Sequence, residues 1–294
     1  MFYCDRLCLS IICILIISFE PMALSAQTIA TSDQRPSIKN TLTMGSIGIN
    51  TTAAIGLLTL SIWGKDLIGS NTPSMGHPAE GSTDLRFSYY ASPDFNPNRQ
   101  WLGAIPDYLG YIAPLAGGAY YLGGGLFDKE WDKGRAHEAY AFAQSLLWTQ
   151  LVTITLKHLV GRERPFVIRA QRDAFDIDDI TMKKSERILS FPSGHSSIMA
   201  ATSFFIAADI SDHLIKETLR ESGTATQVIM GRILPYTVAT LSTWFVLYSR
   251  VKDQRHWLSD TLTGGAIGAM IALFSYHSRF DAFGDPYQGR SLDR

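Results

Sequence analysis

Long stretches without charged residues alternate with polar, turn-rich segments along this chain. Apolar residues in these stretches mix with Ala, Gly, Ser and Thr and show no strand-like alternation, which favours helices that pack closely. The pattern therefore predicts an all-α bundle of about six core helices. Their expected ranges are Thr41–Gly64, Tyr108–Phe127, Ala139–Leu156, Ser196–Ala208, Ile233–Ser249 and Thr261–Tyr276.

Two segments between these stretches have the composition of loops. Gly69–Asn98 combines Pro, Gly, Ser and Asn, and Arg162–Ser190 carries many charges. We expect turns rather than helices in both. The first of them has no functional pattern, so its role stays open.

A chain of 294 residues with 46% hydrophobic content can bury one sizeable core. We expect a catalytic core over residues 139–277, preceded by N-terminal helices and a loop over residues 41–138. A polar linker is expected over residues 27–40 and a C-terminal tail over residues 278–294.

The first 26 residues are typical of a secretory signal peptide. An early charge at Arg6 is followed by an apolar run from Leu7 to Phe19 and then by small residues near Ala26. An uncleaved membrane anchor is the alternative. We expect an exported protein of the periplasm or cell-envelope membrane, in an organism that is Gram-negative. All three cysteines lie in this segment, so thiolate chemistry is not expected.

Whether the helices span a bilayer stays open at this stage. A span needs about 20 consecutive apolar residues, and most of the stretches are shorter or interrupted. The mean hydropathy is only +0.05. The net charge of −1 argues against a nucleic-acid partner, because such proteins usually carry a basic excess.

Candidate chemistry lies in three segments that each begin or end a predicted helix: Lys157–Pro165, Phe191–His195 and Ser249–Asp260. A phosphoryl group in transfer needs several convergent cations or N–H donors, and the first and third segments supply Lys and Arg. The second segment opens a helix, where free backbone N–H groups favour an anion. We expect Pro165 to end the helix that leads into the first segment.

Two histidines fit the roles of nucleophile and acid. His256 and Asp260 are four residues apart, so on a helix Asp260 could hold one imidazole nitrogen while the other attacks. His195, in another segment, could then protonate the leaving oxygen. Each pattern alone is common in structural contexts, and the prediction rests on their joint occurrence.

The three segments match Lys-x6-Arg-Pro, Pro-Ser-Gly-His and Ser-Arg-x5-His-x3-Asp at every specified position. The chain thus resembles the type 2 phosphatidic acid phosphatase superfamily, which also contains class A acid phosphatases and vanadium haloperoxidases. The resemblance covers about Ala139 to Tyr276. It implies a helical bundle and a covalent phosphohistidine on His256. The phosphate-binding residues that it implies are Lys157, Arg164, Ser193, Gly194, His195 and Arg250.

The resemblance implies a metal-independent phosphatase that acts on a phosphomonoester or pyrophosphate, with no cofactor. The form of the third segment favours a lipid substrate and membrane association. A soluble periplasmic acid phosphatase, a haloperoxidase, a phosphotransferase and a non-catalytic phospholipid-binding envelope protein are the alternatives. Phosphatidate, polyprenyl pyrophosphate, lipid A phosphates and soluble monoesters all fit the signature.

The remaining histidines and acidic residues show no ligand spacing, so no metal site is predicted. We expect the acidic residues to be solvated and the histidines to be ordinary polar positions. The residues concerned are Asp173, Asp176, Asp178, Asp179, His77, His137, His158, His213 and His277.

Overall fold

A computed structural model describes residues 48–57, 59–60, 78, 80–96, 101, 105–127, 133–173, 186–220 and 229–280. Every regular element in these ranges is a helix, which confirms the all-α prediction. The helices are α1 (residues 48–57), α2 (Thr83–Ala91), α3 (Ile105–Phe127), α4 (Lys133–Val160), α5 (Pro165–Asp173), α6 (Gly194–Arg220), α7 (Leu234–Lys252) and α8 (Leu258–His277). A short π-helical segment, Ile229–Ile233, precedes α7.

The six predicted helices correspond to α1, α3, α4, α6, α7 and α8. Each charge-free stretch lies inside or across one of them, and α4 and α6 extend well beyond the predicted ends into charged sequence. The expected signal peptide and linker lie outside the described residues. So does most of the expected tail.

Helices α2 and α5 lie in the two segments that were expected to be loops, so that expectation is wrong. Ser82 caps α2, and its side chain accepts a hydrogen bond from the backbone N–H of Leu85. Pro165 begins α5, a position where proline's fixed φ and missing N–H suit a first helical turn. Both helices are held by burial, with Leu85 and Ile168 packed around Trp257.

Pro165 therefore does not end the preceding helix, contrary to the sequence prediction. Helix α4 ends five residues before Pro165, at Val160. Gly161 follows with a φ of 56°, and its N–H donates to the carbonyl of Lys157 at 3.1 Å. Glycine adopts this left-handed conformation without a steric penalty, so it closes the helix here.

Helix α6 is the centre of the bundle and packs against α3, α4, α7 and α8. The core beside it is aromatic, and the rings meet mainly edge to face, a favourable arrangement for π-systems. Its largest members are Tyr121, Phe142, Phe205, Tyr276 and Phe280.

Helices α6 and α8 approach each other so closely that only glycine fits between them. A methyl group on Gly264 would lie 2.4 Å from the carbonyl oxygen of Ser193. One on Gly268 would lie 2.0 Å from the carbonyl oxygen of Ser197. The contact fixes the beginning of α6 against α8.

Two described stretches, Gly194–Ile215 and Leu258–His277, are long and apolar enough to cross a membrane by length and composition. In the first, 67% of the apolar window is buried inside the protein, as in a core helix. In the second the share is 39%, so α8 leaves more of its apolar surface uncovered.

Candidate active site

A cavity of about 540 Å³ lies at one end of the bundle, where α4 and α7 end and α6 begins. Six of the eight predicted site residues line it: Lys157, Arg164, Gly194, His195, Arg250 and His256. The other two, Ser193 and Asp260, are fully buried next to it. The fold therefore brings the three sequence segments together.

His256 lies in the turn between α7 and α8 and is 2% exposed. Its Nδ1 is 2.6 Å from the carbonyl oxygen of Ser190. Because a carbonyl can only accept, Nδ1 is assigned the proton. Nε2 then carries a lone pair, and it lies 3.2 Å from Nη1 of Arg164.

Asp260 does not hold the imidazole directly, and this corrects the sequence prediction. Its Oδ2 is 3.9 Å from Nδ1 of His256, too far for a hydrogen bond. Helix α8 begins at Leu258, so His256 precedes it and the two residues do not share a helix face. Asp260 instead accepts hydrogen bonds from the Ser190 hydroxyl and from the backbone N–H of Trp257. It holds the main chain around the histidine.

Backbone carbonyl groups orient two of the cavity's cations. Nζ of Lys157 donates to the carbonyl of Leu189 at 2.9 Å. Nε of Arg164 donates to the carbonyl of Glu186 at 2.8 Å, and its Nη1 to that of Arg255 at 2.8 Å. These are neutral partners, so the positive charge of the cavity is left for an anion.

The electrostatics of the cavity match an anionic ligand. Burial, reinforced by Arg164 and Lys157, holds the pKa of His256 well below its usual value. Burial and the Arg164 guanidinium likewise lower the pKa of Lys157. Burial and Arg250 lower the pKa of Arg164 to about 9, which still leaves it cationic at neutral pH. A bound phosphate would relieve this repulsion.

His195 lies in the first turn of α6 and lines the cavity. Its ring meets the ring of Tyr111 edge to face, with the centroids 5.4 Å apart. A methyl group on Gly110 would lie 2.6 Å from Cδ2 of the same ring. Helix α3 therefore sets the position of His195 from outside the three signature segments.

Two site residues escaped the sequence analysis: Arg162 and Asp84. Nη1 of Arg162 donates to Oδ1 of Asp260 at 2.6 Å, and its Nη2 donates to Oδ2 of Asp84 at 2.9 Å. Arg162 lies inside the first signature segment, which was a usable signal. Asp84 is 78 residues away in a segment that resembles a loop, so no local pattern marked it.

Away from the cavity, Glu138, Asp209 and His213 are close enough to hold a metal ion, with candidate ligand atoms within 4.8 Å of one another. His213 was expected to be an ordinary polar residue. It lies 3.3 Å from Oδ1 of Asp209 and 4.0 Å from Oε1 of Glu138, so the cluster also forms ion pairs by itself. It lies on α4 and α6, about four turns of α6 from His195.

Fold and site together define a helical bundle with a cation-lined cavity beside a buried histidine. The sequence profile of the PAP2 superfamily matches residues 138–283. This part of the chain, which carries all three signature segments, belongs to that superfamily.

Several known proteins are similar to the same region. A PA-phosphatase related-family protein of Dictyostelium discoideum is 31% identical over 150 residues, which is 50% of each chain. A Drosophila melanogaster protein named, provisionally, as a phosphatidate phosphatase is 30% identical over 169 residues, covering 50% of this chain and 42% of its own. This chain thus spans about half the length of the curated relatives it matches.

Among solved structures, the chain is similar to the transmembrane PAP2 type phosphatidylglycerolphosphate phosphatase of Bacillus subtilis. The TM-score is 0.45 and the identity is 19%, over 77% of this chain and 93% of that one.

Proposed function

We propose that this protein is a phosphatase that hydrolyses a phosphate ester of a lipid through a phosphohistidine on His256, with protein cations rather than a metal ion holding the phosphate. One observation carries the proposal. His256 lines a cavity walled by three cationic side chains, and its hydrogen bond to the Ser190 carbonyl leaves Nε2 with a lone pair. A neutral imidazole in that position is a nucleophile for phosphorus.

In the first step, Nε2 of His256 forms a bond to phosphorus, and the bond from phosphorus to the ester oxygen breaks. His195 gives a proton to the departing oxygen, so the alcohol leaves neutral. Lys157, Arg164 and Arg250 stabilise the charge on the three equatorial oxygens.

In the second step, water attacks phosphorus and the N–P bond of the phosphohistidine breaks. His195, now neutral, takes one proton from that water. Inorganic phosphate leaves, and both histidines return to their starting protonation states. His195 therefore acts as an acid in the first step and as a base in the second.

An apolar path beside the cavity supports a lipid substrate. Tyr111, Leu115 and Ile198 line the cavity itself. A second cleft of about 570 Å³, lined mostly by apolar side chains of α3, α6 and α7, lies next to it, since Leu115 lines the cavity and its neighbour Ala116 lines the cleft. A lipid with its phosphate in the cavity could thus place an acyl chain in the cleft.

Exposed apolar side chains on α3 and α7 support contact with a membrane. On α3 these include Ile112 and Leu115, and on α7 they include Val238, Leu241 and Trp244. Their concentration on two helices favours a membrane contact, because large exposed apolar patches are unusual on a soluble monomer. The relatives' names, which refer to phosphatidate, agree with a lipid. We place the enzyme at a membrane of the cell envelope, exported as its N-terminal sequence suggests.

The test measures phosphate release by the full-length chain in excess chelator, with phosphatidate in detergent micelles and a soluble monoester at equal concentration. We expect release from the lipid and none by His256→Ala. With a substrate whose phosphate is labelled, quenching with base, in which phosphohistidine survives, should trap labelled protein from wild type and none from His256→Ala. Preference for the soluble ester would instead indicate an acid phosphatase. Binding of phosphatidate without phosphate release would support a non-catalytic lipid-binding protein.

A further inference from the structure

The carboxylate of Asp84 lies at the beginning of α2 and is the end of a buried polar chain. It accepts hydrogen bonds from the backbone N–H of Ser259 at 2.8 Å and from the Ser259 hydroxyl. It also accepts from Nη2 of Arg162. Although burial opposes its ionisation, the hydrogen bonds from Ser259 and Arg162 lower the pKa of Asp84.

Arg162 continues the chain towards the nucleophile. Its second amino group donates to Asp260 at 2.6 Å, and Asp260 accepts from the Ser190 hydroxyl. The carbonyl of Ser190 in turn accepts from His256. Four side chains thus connect α2 to the imidazole, through Arg162 bound between two carboxylates.

A second contact ties α2 to the turn that carries His256. Gln254, fully buried, has a φ of 55°, a conformation that costs energy for a residue other than glycine. Its side chain donates to the carbonyl of Ser88, and the Ser88 hydroxyl donates back to it at 2.6 Å. Helix α2 therefore contacts this turn on both sides of the histidine.

We propose that Asp84 is a positioning residue for the nucleophile: it fixes Arg162 and Ser259, and through Asp260 and Ser190 it fixes the imidazole of His256. The proposal rests on the proposed phosphatase function and assigns a role to a helix outside the matched superfamily region. Asp84 does not line the cavity, so it acts only through these partners.

A positioning residue should affect the rate of phosphoryl transfer and leave phosphate binding unchanged, whereas a residue that touches the phosphate would affect both. The phosphate-binding side chains Lys157 and Arg164 are held by backbone carbonyl groups of Leu189, Glu186 and Arg255, which belong to other segments than Asp84. Loss of the Asp84 charge should therefore leave phosphate affinity in place. It should misplace the nucleophile, and a displacement of about 1 Å can slow chemistry by roughly 100-fold.

The experiment compares wild type with Asp84→Asn, using phosphatidate micelles and rapid mixing followed by a base quench. We expect the rate of phosphoenzyme formation to fall roughly 10- to 100-fold. The folded fraction of the enzyme, measured by thermal unfolding, should stay close to that of wild type. The inhibition constant of inorganic phosphate should change less than about threefold, because the cation set is intact.

Glu80→Gln is the matched control, because Glu80 is an exposed acidic residue just before α2 that pairs with Arg172. We expect wild-type rates from it. A lower folded fraction of Asp84→Asn with an unchanged rate per folded enzyme would show damaged folding only and would overturn the proposal. An unchanged rate and folded fraction would overturn it as well.

If Asp84→Asn does not fold, Ser259→Ala decides, since it removes one donor to Asp84 and one acceptor of Arg162 but retains the ion pair between Asp84 and Arg162. A slower phosphorylation rate per folded enzyme supports the proposal, and a wild-type rate contradicts it. Asp84→Glu, which restores the charge, should recover part of the rate. His256→Ala tests the proposed function separately: if it still turns over, the function is wrong, whatever Asp84 does.

Discussion

The imidazole of His256 is oriented by a main-chain atom, the carbonyl oxygen of Ser190, at 2.6 Å. The nearest carboxylate oxygen of Asp260 lies 3.9 Å from the same nitrogen. Because the carbonyl belongs to the backbone, the tautomer of the histidine does not depend on the side chain at position 190. The carboxylate controls the histidine indirectly, by holding that segment of backbone.

This geometry predicts different results for Ser190→Ala and Asp260→Asn. The first removes one hydroxyl and should cost about 1 kcal/mol of stability, and it should slow phosphoenzyme formation by no more than roughly tenfold, because Asp260 still holds the N–H of Trp257 next to His256. The second weakens the acceptor for Arg162 and Trp257 and should slow phosphorylation more. Rapid-quench rates of folded variants, checked by thermal unfolding, test this. Equal slowing by the two would contradict the backbone account.

The lowered pKa of His256 predicts how stability depends on pH. The unfolded histidine has a pKa of about 6.5 and binds a proton more readily than the folded one. The contribution of His256 to the free energy of unfolding is therefore fully present above about pH 6.5. It falls as the pH drops towards the folded pKa, by up to about 1.4 kcal/mol per pH unit. Thermal unfolding between pH 7.5 and 5 should show this loss in wild type and a smaller one in His256→Gln.

The same shift predicts the pH dependence of activity. Nε2 should stay unprotonated at pH values where a free histidine is already charged, so the acidic fall in kcat/KM that belongs to His256 should lie well below 6.5. Arg164→Gln removes the cation that, after burial, lowers the pKa of His256 most, and it should move that fall to higher pH. Histidine NMR titration of the free enzyme would assign the group. A His256 pKa near 6.5 in wild type would refute the prediction.

Gly110 predicts a way to disturb His195 without touching it. In Gly110→Ala the new methyl group would meet the imidazole ring at 2.6 Å, so the ring must move. We expect kcat to fall at least roughly tenfold while stability changes little, because alanine favours a helix by about 0.5–1 kcal/mol over glycine. Gly118→Ala, on the same helix with open space, is the control. Similar kcat values for both variants would argue against a role of α3 in placing His195.

The contact between α6 and α8 predicts a large loss of stability. Gly268→Ala would place a methyl group 2.0 Å from a backbone oxygen of α6, and backbone cannot move aside as a side chain can. We expect a loss of about 3 kcal/mol or more. Gly265→Ala, where the nearest side-chain atom is 3.6 Å away, should be close to neutral. Denaturant unfolding of the two variants measures the difference.

The sequence predicted the long helices because their charge-free stretches exceed several turns, and a pattern of that length is hard to mistake. It missed α2 and α5, which are nine residues each and rich in polar residues. Their burial depends on distant partners such as Trp257, which no local window contains. The prediction that Pro165 ends a helix failed because proline is equally suited to begin one.

For the site, the signature identified the residues that line the cavity, since chemistry constrains their types and spacing. It could not identify Asp84, because the bond to Arg162 joins residues 78 positions apart. The role of Asp260 was also misjudged. Four-residue spacing indicates a shared face only where both residues are helical, and α8 begins two residues after His256.

The glycines of α8 also restrict how this chain can change in length. Each inserted residue turns the following part of a helix by about 100°. One residue added between Asp260 and Gly264 would direct a side chain into the backbone of α6, whereas three or four would return a similar face to it. Insertions and deletions in relatives should therefore follow the helical period within α8.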